Sequence, residues 1–218
     1  MSRTRLNYKN LVPKSLIDNG FILKGSLLFK PMNNGLLQGF CFEKVRTHLY
    51  VNVFFLPLFM KKDVISLTYG NRLKGRHKLG TLFLIDDENL IDSTQEIQYV
   101  IHKNEESVLS IKTIGDFIAQ FHKRELHSVR LLEGLVFAAY FSNHPKKDEL
   151  YTLFLKQFQK YDDGSSDWMK EMKEAIDFMV GLYDQGKSQE LKSLFKENFD
   201  YSIKELKLEK YANVLRDD

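Results

Sequence analysis

"GFILKGSLLFKPMNNGLLQGFCFEKVRTHLYVNVFFLPLF", residues Gly20 to Phe59, decides the fold class of this chain. Apolar residues recur there at every second position between clusters of turn residues, the period of half-buried β-strands. Phe21, Leu23, Leu27 and Phe29 lie on one face of a first strand, with Lys24, Ser26 and Lys30 on the other. Met32-Asn33-Asn34-Gly35 reads as a hairpin turn, because Asn-Gly accepts the positive φ angles of a tight reversal. In a second strand Leu36, Phe40 and Phe42 alternate with Leu37, Gly39, Cys41 and Glu43. In a third, Leu49, Val51, Val53 and Phe55 alternate with His48, Tyr50, Asn52 and Phe54. Pro57 limits this ladder, since it has no N–H to donate.

Working outward, LNYKNLVPKSLIDNGF predicts a short N-terminal helix. Pro13 sits near its start and Asn19-Gly20 supplies its stop. A helix followed by an antiparallel meander predicts an α+β fold in which the helix covers one face of the sheet. Val64–Tyr69 and Thr81–Ile85 are expected as two weaker strands. Between them Tyr69–Gly80 forms a flexible loop with five basic side chains, His77 included. Asp86–Gln95 reads as an acidic, turn-like connection, and Glu96–His102 as one more short strand.

The period changes near Glu105. Val108, Ile111, Ile114, Ile118 and Phe121 recur at helical spacing, as do Val129, Leu132, Val136 and Tyr140. Asn143-His144-Pro145 closes that segment. A third stripe runs from Leu150 to Phe158. A fourth runs from Trp168, read as core, to Tyr183, opened by a loop at 162–166 whose serines can cap it. Leu191, Leu194 and Phe195 mark a fifth, and Ser202 with Glu205 forms a capping-box signature for a final helix. The expected organisation is an α+β sheet module at 1–104 and an all-α helical module at 105–218. No Gly/Pro-rich linker separates them, so the helical region is expected to pack on the sheet in one cooperative unit.

Composition narrows the function classes. The chain has 218 residues, 43% hydrophobic and 28% charged, which is ordinary for a globular protein. The polar opening MSRTRLNYKNLVPKS lacks the apolar core of a signal peptide, and no apolar run suits a membrane helix. A cytoplasmic protein with no membrane partner is expected. Cys41 is the single cysteine, which excludes an internal disulfide and a thiolate zinc cluster. Net charge is +3, but residues 1–104 hold 15 Lys and Arg against 8 Asp and Glu, leaving 17 against 21 for the remainder. That asymmetry suits a basic surface facing an acidic partner.

Catalytic motifs are missing from the pattern. His122 and His127 are five residues apart, about 140° around a helix, whereas a zinc-binding pair needs the four-residue step. Asp86, Asp87, Glu88 and Asp92 lack the spacing of a calcium loop. Gly70, Gly75 and Gly80 have no lysine-hydroxyl pair opening a helix, so no phosphate loop is formed. Cys41 lies in an apolar strand, where thiols are inert. No metal, cofactor or catalytic residue is therefore expected. Two features point instead to binding. Arg72, Lys74, Arg76 and Lys78 alternate along the basic loop, and His48, Tyr50 and Asn52 form a polar row on one strand face.

A short helix ending in Asn19-Gly20-Phe21, then "GFILKGSLLFKP", "LLQGFCFEKV" with Gln38, and "LYVNVFFLPLF" resembles the bacterial family catalogued as domain of unknown function 4304. The resemblance covers residues 8–60 and implies an α+β fold with no assigned activity; it brings no functional residues with it.

The expectation is thus a bacterial binding protein without catalysis, an immunity-type inhibitor or accessory factor with a protein partner. Its partner-binding residues are Arg72, Lys74, Arg76, Lys78, His48, Tyr50 and Asn52. One alternative is an enzyme, a nuclease or hydrolase, using His48, Tyr50 and Glu43 on the sheet face. Another is a nucleic-acid binder that grips phosphates through the basic loop.

Overall fold

The computed structural model describes residues 6–32, 34–76, 80–86, 88–123, 128–161 and 166–215. Expectations placed on Asn33, His77, Lys78, Asp87, His127 and residues 162–165 lie outside the described residues. The protein is α+β and divides into two compact units whose segments interleave. The first holds Met1–Met32, Leu37–Leu56 and Ser66–Ser110; the second holds Asn33–Leu36, Pro57–Ile65 and Ile111–Asp218.

The described strands are β1 (Ile22–Lys24), β2 (Leu27–Pro31), β3 (Leu36–Val45), β4 (His48–Pro57), β5 (Asn71–Arg72) and β6 (Phe83–Leu84), all in the first unit but for the end residues Leu36 and Pro57. They follow the order β1-β2-β3-β4-β5, with β6 also pairing β4. The ladder of β2 on β3 sets Phe29 opposite Gly39 and Pro31 opposite Leu37, both antiparallel. The stretch expected as one first strand is two. Gly25 takes φ +58 and opens a two-residue reversal, so Lys24 faces Leu27 and Ile22 faces Phe29. Glycine at the first central position of a hairpin is what that turn needs.

Two further strand expectations are corrected. Val64–Tyr69 is not a strand; the Gly70 N–H closes a turn onto the Leu67 carbonyl (3.0 Å), and pairing with β4 begins only at Asn71. Glu96–His102 is helical, as is the end of the presumed acidic connection, within α2 (Leu90–Leu109). Ile97, Tyr99 and Ile101 alternate like a strand, yet Ile97, Val100, Ile101 and Val108 are the residues buried, on helical spacing, while Tyr99 is exposed. Side-chain bonds fix this helix. Gln38 Nε2 on β3 donates to the Val108 carbonyl at 3.0 Å, Gln98 Nε2 to the Asn10 carbonyl at 2.8 Å, and Asn19 Nδ2 to Glu105 at 2.7 Å. The N-terminal helical segment is split between a 3-10 turn at Tyr8–Leu11 and α1 (Lys14–Asp18), with Pro13 immediately before α1.

The second unit contains α3 (Ile114–His122), α4 (Val129–Phe141), α5 (Lys147–Tyr161), α6 (Asp167–Asp184), α7 (Ser188–Glu205) and α8 (Ala212–Leu215). α4 is its core. The helix is buried from Leu131 to Tyr140 except at Glu133 and packs against α3, α5 and α6. A helix that is apolar nearly all round needs such enclosure. α7 meets the segment 57–65 through polar bonds: Asn198 Nδ2 donates to the Phe59 carbonyl (3.1 Å), and Ser202 Oγ donates to the Met60 carbonyl (2.7 Å). Ser202 therefore does not open a new helix. It is fully buried inside α7, where its hydroxyl also accepts the Lys62 N–H. Trp168 is not core either; it is 42% exposed beneath the Arg130 guanidinium, which lies 4.2 Å from its ring. Among the described residues no helix is long and apolar enough to cross a membrane.

Candidate functional site: two arginine–tyrosine–carboxylate clusters

The basic loop of the first unit is pinned at both ends. Gly70 runs so close to β4 that a Cβ there would fall 2.1 Å from the Val53 carbonyl oxygen. Leu73 is buried and its N–H donates to the Val51 carbonyl at 2.7 Å, while Gly75 N–H reaches the Gly80 carbonyl at 2.8 Å. Between these anchors Arg72 and Arg76 each meet a carboxylate and a tyrosine ring.

Arg72 belongs to β5 and faces Asn52 of β4 in the ladder. Its guanidinium lies 4.0 Å from the centre of the Tyr50 ring, and Nη2 donates to Glu43 Oε2 at 3.1 Å. Both partners of this ion pair stay close to half exposed. Arg76 repeats the chemistry on α2. It lies 4.1 Å from the centre of the Tyr99 ring, and its Nε and Nη2 reach Glu96 Oε2 at 2.9 and 2.8 Å. The Arg76 backbone N–H also donates to Glu96 Oε1. Gly75 permits that approach, since a Cβ there would crowd Phe83 at 3.0 Å and Glu96 at 3.2 Å. The Glu96 hydrogen bond holds the Arg76 pKa above its ordinary value. Glu96 is buried while the Arg76 side chain is 66% exposed, so the carboxylate anchors and the guanidinium is presented.

The structure thus joins Arg72, Tyr50 and Asn52, with Glu43, and sets the loop residue Arg76 apart, against Glu96 and Tyr99 of α2. Lys74 lies between them in the chain and is exposed; Lys78 lies outside the described residues. Asn52 is buried, with Nδ2 on the Cys41 carbonyl at 3.5 Å and Oδ1 without a partner among the described residues. His48 pairs with Leu84 of β6, and its Nδ1 lies 3.4 Å from Thr47 Oγ1. Glu96 and Tyr99, three residues apart on one helix face, are not legible as a pair in the sequence, where the alternation of Ile97, Tyr99 and Ile101 predicts a strand.

Burial pushes the Cys41 thiol up, with the Glu43 charge adding to it, so the thiolate is disfavoured. Asp86 Oδ1 accepts from the Asn89 side chain and backbone, which holds its carboxyl below the ordinary range and ties down the approach to α2. His122 Nε2 lies 3.1 Å from Glu149 Oε1. In the second unit burial pushes the Lys62 ammonium down and the Glu133 carboxyl up, each offset by the charge of the other. Among the described residues no group of three or more His, Cys, Asp or Glu side chains is placed to hold a metal ion.

Comparison with known proteins finds no matching family model, curated protein or solved structure.

Proposed function

We propose that the protein is a cytoplasmic binding protein that recognises a folded protein partner without catalysis, as an immunity-type inhibitor or accessory factor does. The observation that carries this reading is the pair of clusters Arg72–Tyr50–Glu43 and Arg76–Tyr99–Glu96. Each arginine is stacked on a ring and fixed by a carboxylate, so little side-chain freedom remains to be lost on binding. Tyrosine and arginine in that rigid form are the residues in which binding energy concentrates at protein interfaces. The same carboxylates offset the arginine charge, which favours a protein surface over a nucleic-acid backbone, where uncompensated cations are needed to displace counterions.

The test places a photo-cross-linking residue at Lys74, in the loop between the two arginines, and compares the protein with the Arg72→Ala/Arg76→Ala variant in extract of its native cell. A protein adduct at Lys74, reduced at least about tenfold in the variant, is expected, in line with the loss of a two-residue hot spot. Oligonucleotide adducts, or single- and double-stranded nucleic acid bound with steep salt dependence, would overturn the reading.

A further inference from the structure

The second unit carries a cleft of about 610 Å³, within the size range of small-molecule sites. Its wall is aromatic. Phe59 and Phe141 stack with ring centres 4.5 Å apart, and Phe195 stands edge-on to Phe141 at 5.1 Å. Gly35 lines the cleft at φ +69; a Cβ there would meet the Phe59 ring at 3.1 Å and the Phe141 ring at 3.7 Å. Glycine therefore keeps both rings where they are. Tyr183 also lines the cleft, and its hydroxyl donates to Asn143 Oδ1 at 2.6 Å, holding an asparagine in the left-handed conformation at φ 48. These groups are packed on and bonded to one another, which fixes the wall of the cavity.

Charge selects the occupant. No Asp or Glu lines the cleft, and its charged members are Lys192 and Lys196. They stand one turn apart on α7. Lys196 is committed to Asp200 at 2.6 Å. Lys192 is exposed, and no carboxylate lies within ion-pair reach of it among the described residues. Phe59 and Phe195 are buried, so the ring surface that the cleft offers is that of the half-buried Phe141 and Tyr183, beside one uncompensated cation.

We propose that this cleft binds a planar aromatic monoanion, an aryl carboxylate whose ring packs against Phe141 and whose carboxylate meets Lys192. A ring gains offset or edge-on contacts from such a wall that an acyl chain of equal area does not. A single anionic group is what one free ammonium complements. The site lies in the unit that does not carry the arginine clusters, and it stands whether or not they bind a protein.

The experiment is calorimetric titration of the full chain with naphthoate, its neutral analogue naphthamide, and decanoate, on the natural protein and on Lys192→Met and Leu191→Trp. Saturable binding of one naphthoate is expected, tighter than either naphthamide or decanoate. Lys192→Met should weaken naphthoate about tenfold, the worth of a charge-assisted contact, and leave naphthamide unchanged. Leu191→Trp should block both aromatic probes. Lys192 is exposed, so its variant keeps the fold and decides the matter even if the tryptophan variant does not fold. Absence of saturable binding, equal affinity for acid and amide, an unchanged Lys192→Met, or tighter binding of decanoate would each overturn the assignment.

Discussion

At the scale of single residues, the sheet depends on positions where a side chain has no room. Gly39 of β3 takes φ +158, and a Cβ on it would stand 2.1 Å from the Leu28 carbonyl oxygen and 2.7 Å from Phe29 Cα on β2. Those atoms are backbone and have no rotamer by which to yield. Phe29 is the ladder partner of Gly39 and is itself fully buried, so the strands cannot part locally without opening the core. Gly39→Ala is therefore expected to cost about 2–4 kcal/mol, the combined scale of overpacking and backbone strain. Chemical denaturation should show it as a lower midpoint with an unchanged slope. Gly25→Ala offers the contrast. It meets the conformational penalty of φ +58 but no atom within 4 Å, so its cost should stay near 1 kcal/mol, roughly the strain of one left-handed residue. A Gly39→Ala variant no less stable than Gly25→Ala would show that β2 and β3 do not approach as described.

At the scale of elements, local hydrogen bonding decides where helices begin. α3 starts with a complete capping box: Thr113 Oγ1 accepts the Asp116 N–H at 3.0 Å, and Asp116 Oδ2 accepts the N–H groups of Thr113 and Lys112 at 2.9 and 3.1 Å. Slight burial raises the Asp116 pKa, but the hydrogen bonds from Thr113 and Lys112 outweigh it and hold the carboxyl below its ordinary 3.8. A folded-state pKa below the unfolded one means stability that is complete above the unfolded value and lost as pH falls through the folded one. Asp116→Asn should therefore melt lower than the natural protein at neutral pH, with the gap steady down to about pH 5 and closing as pH falls through the ordinary carboxyl value of 3.8 and below it. Thr113→Ala should cost about 1 kcal/mol by circular dichroism at neutral pH and less in acid, because it removes a hydrogen bond that favours the ionised Asp116 carboxylate. A gap that stays constant with pH for Asp116→Asn would remove the carboxylate from the cap. The same local logic explains what was legible beforehand. The alternation around Phe40 and Val51, the Asn34-Gly35 turn and the stop at Pro57 each follow from one short stretch, and β3 and β4 lie there. The residues from Ile97 to Ile101 satisfy both a period of two and a period of 3.6, so only packing tells them apart, and the sequence reading took the wrong one. That error hid half of the candidate site. Arg72 and Tyr50 were singled out from their own strands and loop, but Arg76 finds Glu96 and Tyr99 across 20 and more residues of chain, on a helix that was not recognised.

At the scale of the whole molecule, neither unit is a continuous piece of chain. The second takes Pro57–Ile65, from the last residue of β4 into the segment before β5, and Phe59, Met60 and Lys62 there bond α7 directly. The Phe59 and Met60 carbonyls accept from Asn198 and Ser202, which are 4% and 0% exposed. Gly35 N–H likewise donates to the Leu215 carbonyl at 3.1 Å, and the Gly35 carbonyl accepts Leu58 N–H at 2.8 Å. A fragment that begins at Ile111 keeps every helix from α3 to α8 but loses all of these partners. Two buried polar side chains are then unsatisfied at about 1–3 kcal/mol each, before any loss of the Phe59 ring packed on Phe141. Against a total stability of roughly 5–15 kcal/mol that is decisive for a unit of this size. The fragment 111–218 is therefore expected to lack a cooperative melt, and the full chain to unfold in a single transition followed alike by calorimetry and circular dichroism. Protease cutting between Ser110 and Ile111 should not release two stable products. A well-dispersed amide spectrum from 111–218 alone, or two resolved calorimetric transitions in the full chain, would mean that residues 33–36 and 57–65 contribute far less to the helical unit than their hydrogen bonds indicate.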